Sequence, residues 1–276
     1  MSSGFLPIDD DLTLHYESVG SGHKVILLLP GWTMSTRVFE CQFEYFEASE
    51  AFRFISLDPR AHGLSSKTAS GHYYEQHGRD LHAFIESINL DNVLLGGWSF
   101  GTLATLAYLE QFGSERLSGF IMLDGPPRAS GHDNQTDWVT YRYDDADGQQ
   151  VFYSLERMRN PEQSMQSFCR WMLEDPSDDK IGQLMQISRQ TPNEVAALLN
   201  ASAVFLDFQE TLARLEGEVP LWYMMRQGQD SVVRDWAKVH TPSARIVAFG
   251  EHMMFWERPD AFNRLLLDFA RQCFPA

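Results

Sequence analysis

The chain has 276 residues, 43% of them hydrophobic, enough for one large domain or for a domain carrying an inserted subdomain. Its 38 acidic side chains outnumber 22 Lys and Arg and give a net charge of −16, so no basic patch is expected to neutralise phosphates and a nucleic-acid partner is excluded. Apolar runs such as "VILLL" fall far short of the roughly 20 residues a membrane helix needs.

The start, "MSSGFLPIDDD", is acidic and lacks the basic and apolar regions of a signal peptide. Cys41, Cys169 and Cys273 have no metal-like spacing and read as free thiols of a reducing, cytoplasmic setting. "TLHYES" (13–18) alternates like a strand, and "KVILLLP" (24–30) and "FRFISLD" (52–58) read as strands, the first buried on both faces. "YEQHGRDLHAFIESIN" (74–89) has apolar residues at helical spacing. The strand "NVLLGG" (92–97), the helix "FGTLATLAYLEQF" (100–112) and the strand "SGFIMLD" (118–124) follow.

Residues 127–216 then lose the strand pattern. They are rich in Trp, Met, Phe, Asp and Gln, and "DPSDDKIGQLMQIS" and "TPNEVAALLNASAVFLDF" open on capping residues, which predicts helices. The segment reads as a helical cap inserted between core strands, because neither end carries a Pro/Gly/Ser-rich linker. "VPLWYMM" (219–225) and "ARIVAFG" (244–250) resume the strands, and "RPDAFNRLLLDFARQCF" closes with a helix. Strands alternating with helices predict an α/β fold: a mostly parallel central sheet covered on both faces, with core residues 1–126 and 217–276 and the cap over 127–216.

Chemistry concentrates at "GGWSFGT". A serine between Gly97 and Gly101, where a strand turns directly into a helix, has the form of a nucleophile elbow: the turn is too tight for bulky neighbours and lifts the Ser99 hydroxyl above the sheet. A serine hydroxyl needs a base. Of nine histidines, His252 in "GEHMMFWERPDAF" follows a core strand and precedes an amphipathic helix, on the edge where open α/β sheets collect their sites. His62 in "DPRAHGLSS" reads as a stabiliser of its own turn. The base needs an orienting carboxylate. Asp230 in "RQGQDSVV" is the first choice, and Asp124 at the end of "FIMLD" is the alternative. The backbone N–H groups of Phe100 and of Trp32 in "PGWTMS" are the expected oxyanion donors. Trp138, Phe152, Trp171, Met172, Met185 and Phe205 in the cap, with Trp32 and Trp98 on the core, are candidates for an apolar pocket wall.

These motifs resemble the α/β-hydrolase fold superfamily over roughly residues 10–126 and 217–273. "DPRAHGLSS" is similar to the family's D-x-R-G-x-G-x-S loop, with Ala61 where glycine is usual, and "GEHMMFWERPDAF" is similar to its closing G-x-H-x-x-x-x-E-x-P-x-x-F. The resemblance implies a triad in the order Ser99, Asp230, His252 and a serine hydrolase acting on a carboxylic ester or lactone, a small-molecule substrate, with no cofactor. The family's usual His-Gly is replaced by Pro30-Gly31-Trp32, which together with Asp124 resembles the cofactor-free dioxygenases that cleave quinolone rings on this fold. Those enzymes flank the elbow serine with histidines, whereas this chain has Trp98 and Phe100. A ligand-binding signalling protein with a retained triad is a further alternative. No His, Cys, Asp or Glu cluster has metal-ligand spacing. "DDADG" (144–148) lacks a glutamate at the twelfth position of a calcium loop, Glu156 falling one place beyond.

Overall fold

Each central strand is apolar on both faces, and the fold follows from covering both. The computed structural model describes residues 2–132, 137–142 and 150–274. The chain runs through strands β1 (Ser2–Pro7), β2 (Thr13–Val19) and β3 (Lys24–Leu29), helix α1 (Glu40–Phe46), strand β4 (Phe52–Leu57), helix α2 (Tyr74–Ser87), strand β5 (Val93–Trp98), helix α3 (Gly101–Phe112) and strand β6 (Leu117–Leu123). An excursion follows: two-residue strands β7 (Ser130–Gly131) and β8 (Tyr141–Arg142), then helices α4 (Gln150–Arg159), α5 (Pro161–Trp171), α6 (Asp178–Ser188) and α7 (Asn193–Ala203). Helix α8 (Gln209–Arg214), strand β9 (Leu221–Met225), helix α9 (Asp230–His240), strand β10 (Arg245–Ala248) and helices α10 (Met254–Glu257) and α11 (Pro259–Cys273) complete it.

The eight-stranded sheet has the order β1-β2-β4-β3-β5-β6-β9-β10. Strands β4 to β10 of that series are parallel, and β1 and β2 form an antiparallel edge. Period-two alternation divides their side chains between two layers. Leu27, Leu95, Met122 and Tyr223 pack with Leu81 of α2, Leu106 of α3, Leu212 of α8 and Val233 of α9. Ile26, Leu94, Ile121 and Trp222 pack with Phe43 of α1 and Leu266 of α11. Among the described residues, no helix is long and apolar enough to cross a membrane.

The order reverses beside β3, so the loops after β3, β5, β6, β9 and β10 converge at one carboxyl edge. The excursion arches from that edge. Its neck is closed by the Phe208 N–H donating to the Pro127 carbonyl at 2.9 Å and by an antiparallel bridge between Arg128 and Asp207. Helix α8 lies on the core side of this neck, against α3. In the arch α4 packs on α5 and α7, and α5 on α6. Residues 144–148 lie outside the described residues.

Candidate active site

Ser99 sits between the end of β5 and α3 with φ at +54°, the left-handed strain of a sharp elbow. A methyl group on Gly97 would come within 2.4 Å of the Gly101 carbonyl carbon, and one on Gly101 within 2.5 Å of the Pro30 carbonyl oxygen, so neither position admits a side chain. The Ser99 N–H donates to the Leu123 carbonyl at 2.8 Å, fixing the elbow to the neighbouring strand.

His252 is buried on the loop after β10. Its Nδ1 lies 2.5 Å from Asp124 Oδ2. Its carbonyl accepts from Trp98 Nε1 at 2.9 Å. The imidazole lies between the rings of Trp98, 5.2 Å away, and Trp171, 4.8 Å away. Nε2 is buried and has no hydrogen-bond partner among the described residues. With Nδ1 donating to a carboxylate, Nε2 is left with the lone pair a general base uses.

The carboxylate against the histidine is Asp124, and not Asp230, the first choice from sequence. Asp230 is the opening residue of α9 and pairs with Arg234 one turn on, at 3.2 Å. An acidic residue suits the positive end of a helix, and that placement directs its carboxylate to its own helix surface. Asp124 follows β6 with φ at +44°, which a short polar residue tolerates. Its Oδ1 accepts the Arg226 N–H at 3.1 Å and its Oδ2 faces Arg226 Nη1 at 3.4 Å. Burial alone would raise its pKa. The His252 hydrogen bond and charge, with the Arg226 charge and N–H, hold it below the ordinary carboxylate value.

Trp32 follows β3 on a loop drawn against the elbow. A methyl on Gly31 would fall 2.9 Å from Ser99 Cβ. The Trp32 indole donates to the Ala196 carbonyl at 2.8 Å and meets Phe168 edge-on. Next to it, the Thr33 N–H donates to Nε2 of His62 at 3.2 Å, while His62 Nδ1 faces the Arg60 carbonyl at 2.9 Å. Burial pushes the His62 pKa down to about 4, so this ring stays neutral and keeps Nε2 as an acceptor. Asp58 anchors the same loop by accepting from the N–H groups of Thr36 and Leu64 at 2.7 and 2.8 Å. Ala61, where the motif favours glycine, takes φ +62°. The backbone N–H groups of Trp32 and Phe100 have no acceptor among the described residues.

Ser99, Phe100, Trp32, Asp124 and His252 line one cleft. The excursion contributes Trp138 through Tyr141, Phe168 and Trp171; Met225 ends β9, and the loop after it contributes Arg226 and Gln229. Trp138 is 4% exposed, wedged against Tyr223 and Trp236. Trp171 is 49% exposed and stacks on Phe168.

Other expected wall residues lie elsewhere. Trp98 points to the opposite face of the sheet, with Leu94 and Phe255, and supports the His252 loop from below. Phe205 is 90% exposed, because it falls in the turn after α7 rather than on a packed helix face. Met172 is buried, and Met185 partly buried, in the layer behind the cleft. Phe152 lies outside the residues whose side chains are described. Sequence reasoning passed over Arg226, Gln229, Tyr141 and Phe168. The two on the β9 loop had one available signal, their position just past the carboxyl end of a core strand.

Comparison with known proteins agrees with this architecture. The family model described as "alpha/beta hydrolase fold" matches residues 24–199. A putative non-heme chloroperoxidase of Synechocystis sp. is 30% identical over 116 residues, 42% of this chain and 41% of that protein. The AB hydrolase superfamily protein YisY of Bacillus subtilis is 29% identical over 119 residues, 43% of this chain and 44% of that protein. The chain thus matches less than half the length of these curated relatives. An esterase structure from Exiguobacterium antarcticum superposes with a TM-score of 0.84 at 21% identity, covering 98% of this chain and 100% of that one, a likeness of fold. The elbow, the sheet order and the family match over more than half of the sequence establish that this chain belongs to the α/β-hydrolase fold family.

Proposed function

We propose that the protein is a serine hydrolase that cleaves a carboxylic ester or lactone through an acyl-enzyme. The observation that carries this reading is the His252–Asp124 pair, with an unpartnered Nε2, in the same cleft as a serine on a strained elbow. In this reading His252 Nε2 takes the Ser99 proton as Oγ attacks the carbonyl carbon. The N–H groups of Trp32 and Phe100 receive the oxyanion, and the protonated imidazole returns its proton to the leaving alkoxide. His252 then deprotonates a water that releases the acid. Asp124 fixes the tautomer and stabilises the imidazolium. The esterase name of the Exiguobacterium protein is in keeping with this chemistry.

The direct test is labelling with a fluorophosphonate probe followed by peptide mapping. One adduct on the Ser99 peptide is expected. A folded protein that stays unlabelled there overturns the reading.

Trp171 offers a test of the pocket. It is half exposed and lines the cleft, where it stacks on Phe168 and lies against His252. Trp171→Ala is expected to shift the ratio of kcat/KM between hexanoyl and acetyl nitrophenyl esters by about 10-fold, the scale of one or two lost apolar contacts. Trp138→Ala removes a buried ring and should cost about 3–5 kcal/mol of stability as well. Equal changes on both esters with Trp171→Ala would place acyl selection elsewhere.

A second reading is favoured by one feature. Asp124, the carboxylate paired with His252, is the acid that, with Pro30-Gly31-Trp32, carries the resemblance to cofactor-free dioxygenases. There the histidine would deprotonate an enolisable N-heteroaromatic, whose anion reacts with dioxygen. Oxygen consumption with a 3-hydroxy-4-quinolone, without ester turnover, would select it.

A further inference from the structure

Arg226 is the only lysine or arginine among the described residues lining the cleft, in a chain whose net charge is −16. An acidic protein disfavours anionic ligands, so a cation turned into its cleft needs a local reason. Arg226 follows β9, and its guanidinium lies against the Trp171 ring, Cζ being 5.1 Å from the centroid. That contact holds the plane of the fork and leaves its edge for hydrogen bonding.

The fork is underused. Among the described residues only Nη1 has an acceptor, Asp124 Oδ2, at a long 3.4 Å. Where a guanidinium in this protein is dedicated to a carboxylate the geometry differs: Arg60 grips Asp80 through Nε and Nη2, both at 2.8 Å. Asp124 does not rest on that long contact alone, since His252 Nδ1 and the Arg226 backbone N–H also engage its two oxygens. Nε and Nη2 of Arg226 have no acceptor among the described residues, and its side chain is 26% exposed. Gln229, three residues on across the turn after β9, lines the same cleft and brings a neutral amide that can donate. Two spare donors of a fixed planar fork match the two oxygens of a carboxylate.

We propose that Arg226 recognises a free carboxylate on the substrate, so that the preferred substrates are esters or lactones carrying a second, unesterified acid group. This rests on the hydrolase reading above and narrows it to a substrate class. The substrate carboxylate lies across the guanidinium from Asp124, with the positive fork screening one from the other. The acyl chain runs from there to Ser99 along Trp171 and Met225.

The test compares the 4-nitrophenyl monoester of glutaric acid with its neutral methyl diester, on the wild type, Arg226→Met and Arg226→Lys. The wild type is expected to favour the anionic ester by about 10-fold or more in kcat/KM. Arg226→Met should lower that preference by about 10- to 100-fold, mostly through KM of the anionic ester, and Arg226→Lys should restore part of it. A purely positioning role toward Asp124 predicts equal losses on both esters, seen in kcat, and would overturn the proposal. So would a wild type that prefers the neutral diester. Binding of glutarate to Ser99→Ala, measured by calorimetry, separates the two readings. Binding that disappears in Ser99→Ala/Arg226→Met upholds the carboxylate site even when neither ester is hydrolysed. Ester hydrolysis without glutarate binding leaves the hydrolase standing and removes the proposal. Thermal melts of each variant establish that it is folded.

Discussion

Ser99→Ala is expected to lower ester turnover by about 10⁴-fold or more while the melting temperature stays close to that of the parent. The first half follows from the role proposed for Oγ: without it His252 and the oxyanion donors have no acyl acceptor to assist. The second half follows from the elbow. Its strain comes from φ at +54°, which does not depend on the hydroxyl. Alanine keeps the Cβ and therefore keeps the left-handed penalty. Ser99→Gly removes that penalty, about 1–2 kcal/mol, and should melt a few degrees above Ser99→Ala, although it is equally inactive. Hydrolysis of 4-nitrophenyl acetate and melting curves for the three proteins provide the check. A tenth of the activity surviving in the alanine variant would remove serine chemistry from the protein. A glycine variant no more stable than alanine would mean that the elbow carries less strain than its dihedral angle implies.

The elbow serine and the cleft histidine were legible because local sequence determines where they stand. A serine can be forced into an elbow only by small neighbours on a strand-to-helix turn, and His252 is placed by the strand and helix that bracket it. The buried strands were legible for a related reason: "KVILLL" is apolar at consecutive positions only because both faces are covered. Strand β1 carries no such signal. "SSGFLP" is exposed or half-exposed throughout and exists by pairing with β2, a partner its own residues do not announce. The acid was harder to assign. Asp124 and Asp230 each follow a core strand, and nothing nearby in sequence says which reaches across to His252. The helical pattern of "DSVVRDWAKVH", which buries Val233 and Ala237 one turn apart, was the clue that Asp230 opens a helix. Trp98 was decidable by parity, since four residues along β5 from Leu94 it must share that residue's face. The arch resisted, because the pattern of each short helix says that one face is apolar but not which neighbour covers it. Phe205 and Phe168 are equally apolar in sequence, yet one lies in solvent and the other on Trp32.

Asp124→Asn is expected to cost about 10³–10⁴-fold in kcat, and Asp230→Asn almost nothing. The carboxylate of Asp124 is buried, and its Oδ2 receives His252 Nδ1. An amide there can present N–H to the ring, trapping the tautomer that protonates Nε2, and it offers no charge to the imidazolium that forms as Ser99 attacks. Asparagine accepts φ +44° as readily as aspartate, so the backbone is retained and the loss is one of chemistry. Asp230→Asn gives up an exposed ion pair with Arg234 and part of a favourable helix-end charge, a few tenths of a kcal/mol of stability with no contact to the cleft. The same pair of variants carries a signature in stability against pH. The pKa of Asp124 is lowered in the folded protein, so its ionised form contributes stability that is complete above the ordinary value of 3.8 and is lost as pH falls through the lowered folded value. The difference in melting temperature between wild type and Asp124→Asn should therefore be widest near neutrality and narrow below pH 3.8. Asp230→Asn should give curves parallel to wild type throughout. A large kcat loss in Asp230→Asn, with Asp124→Asn active, would return the acid role to Asp230 and require its loop to swing to His252 when substrate binds.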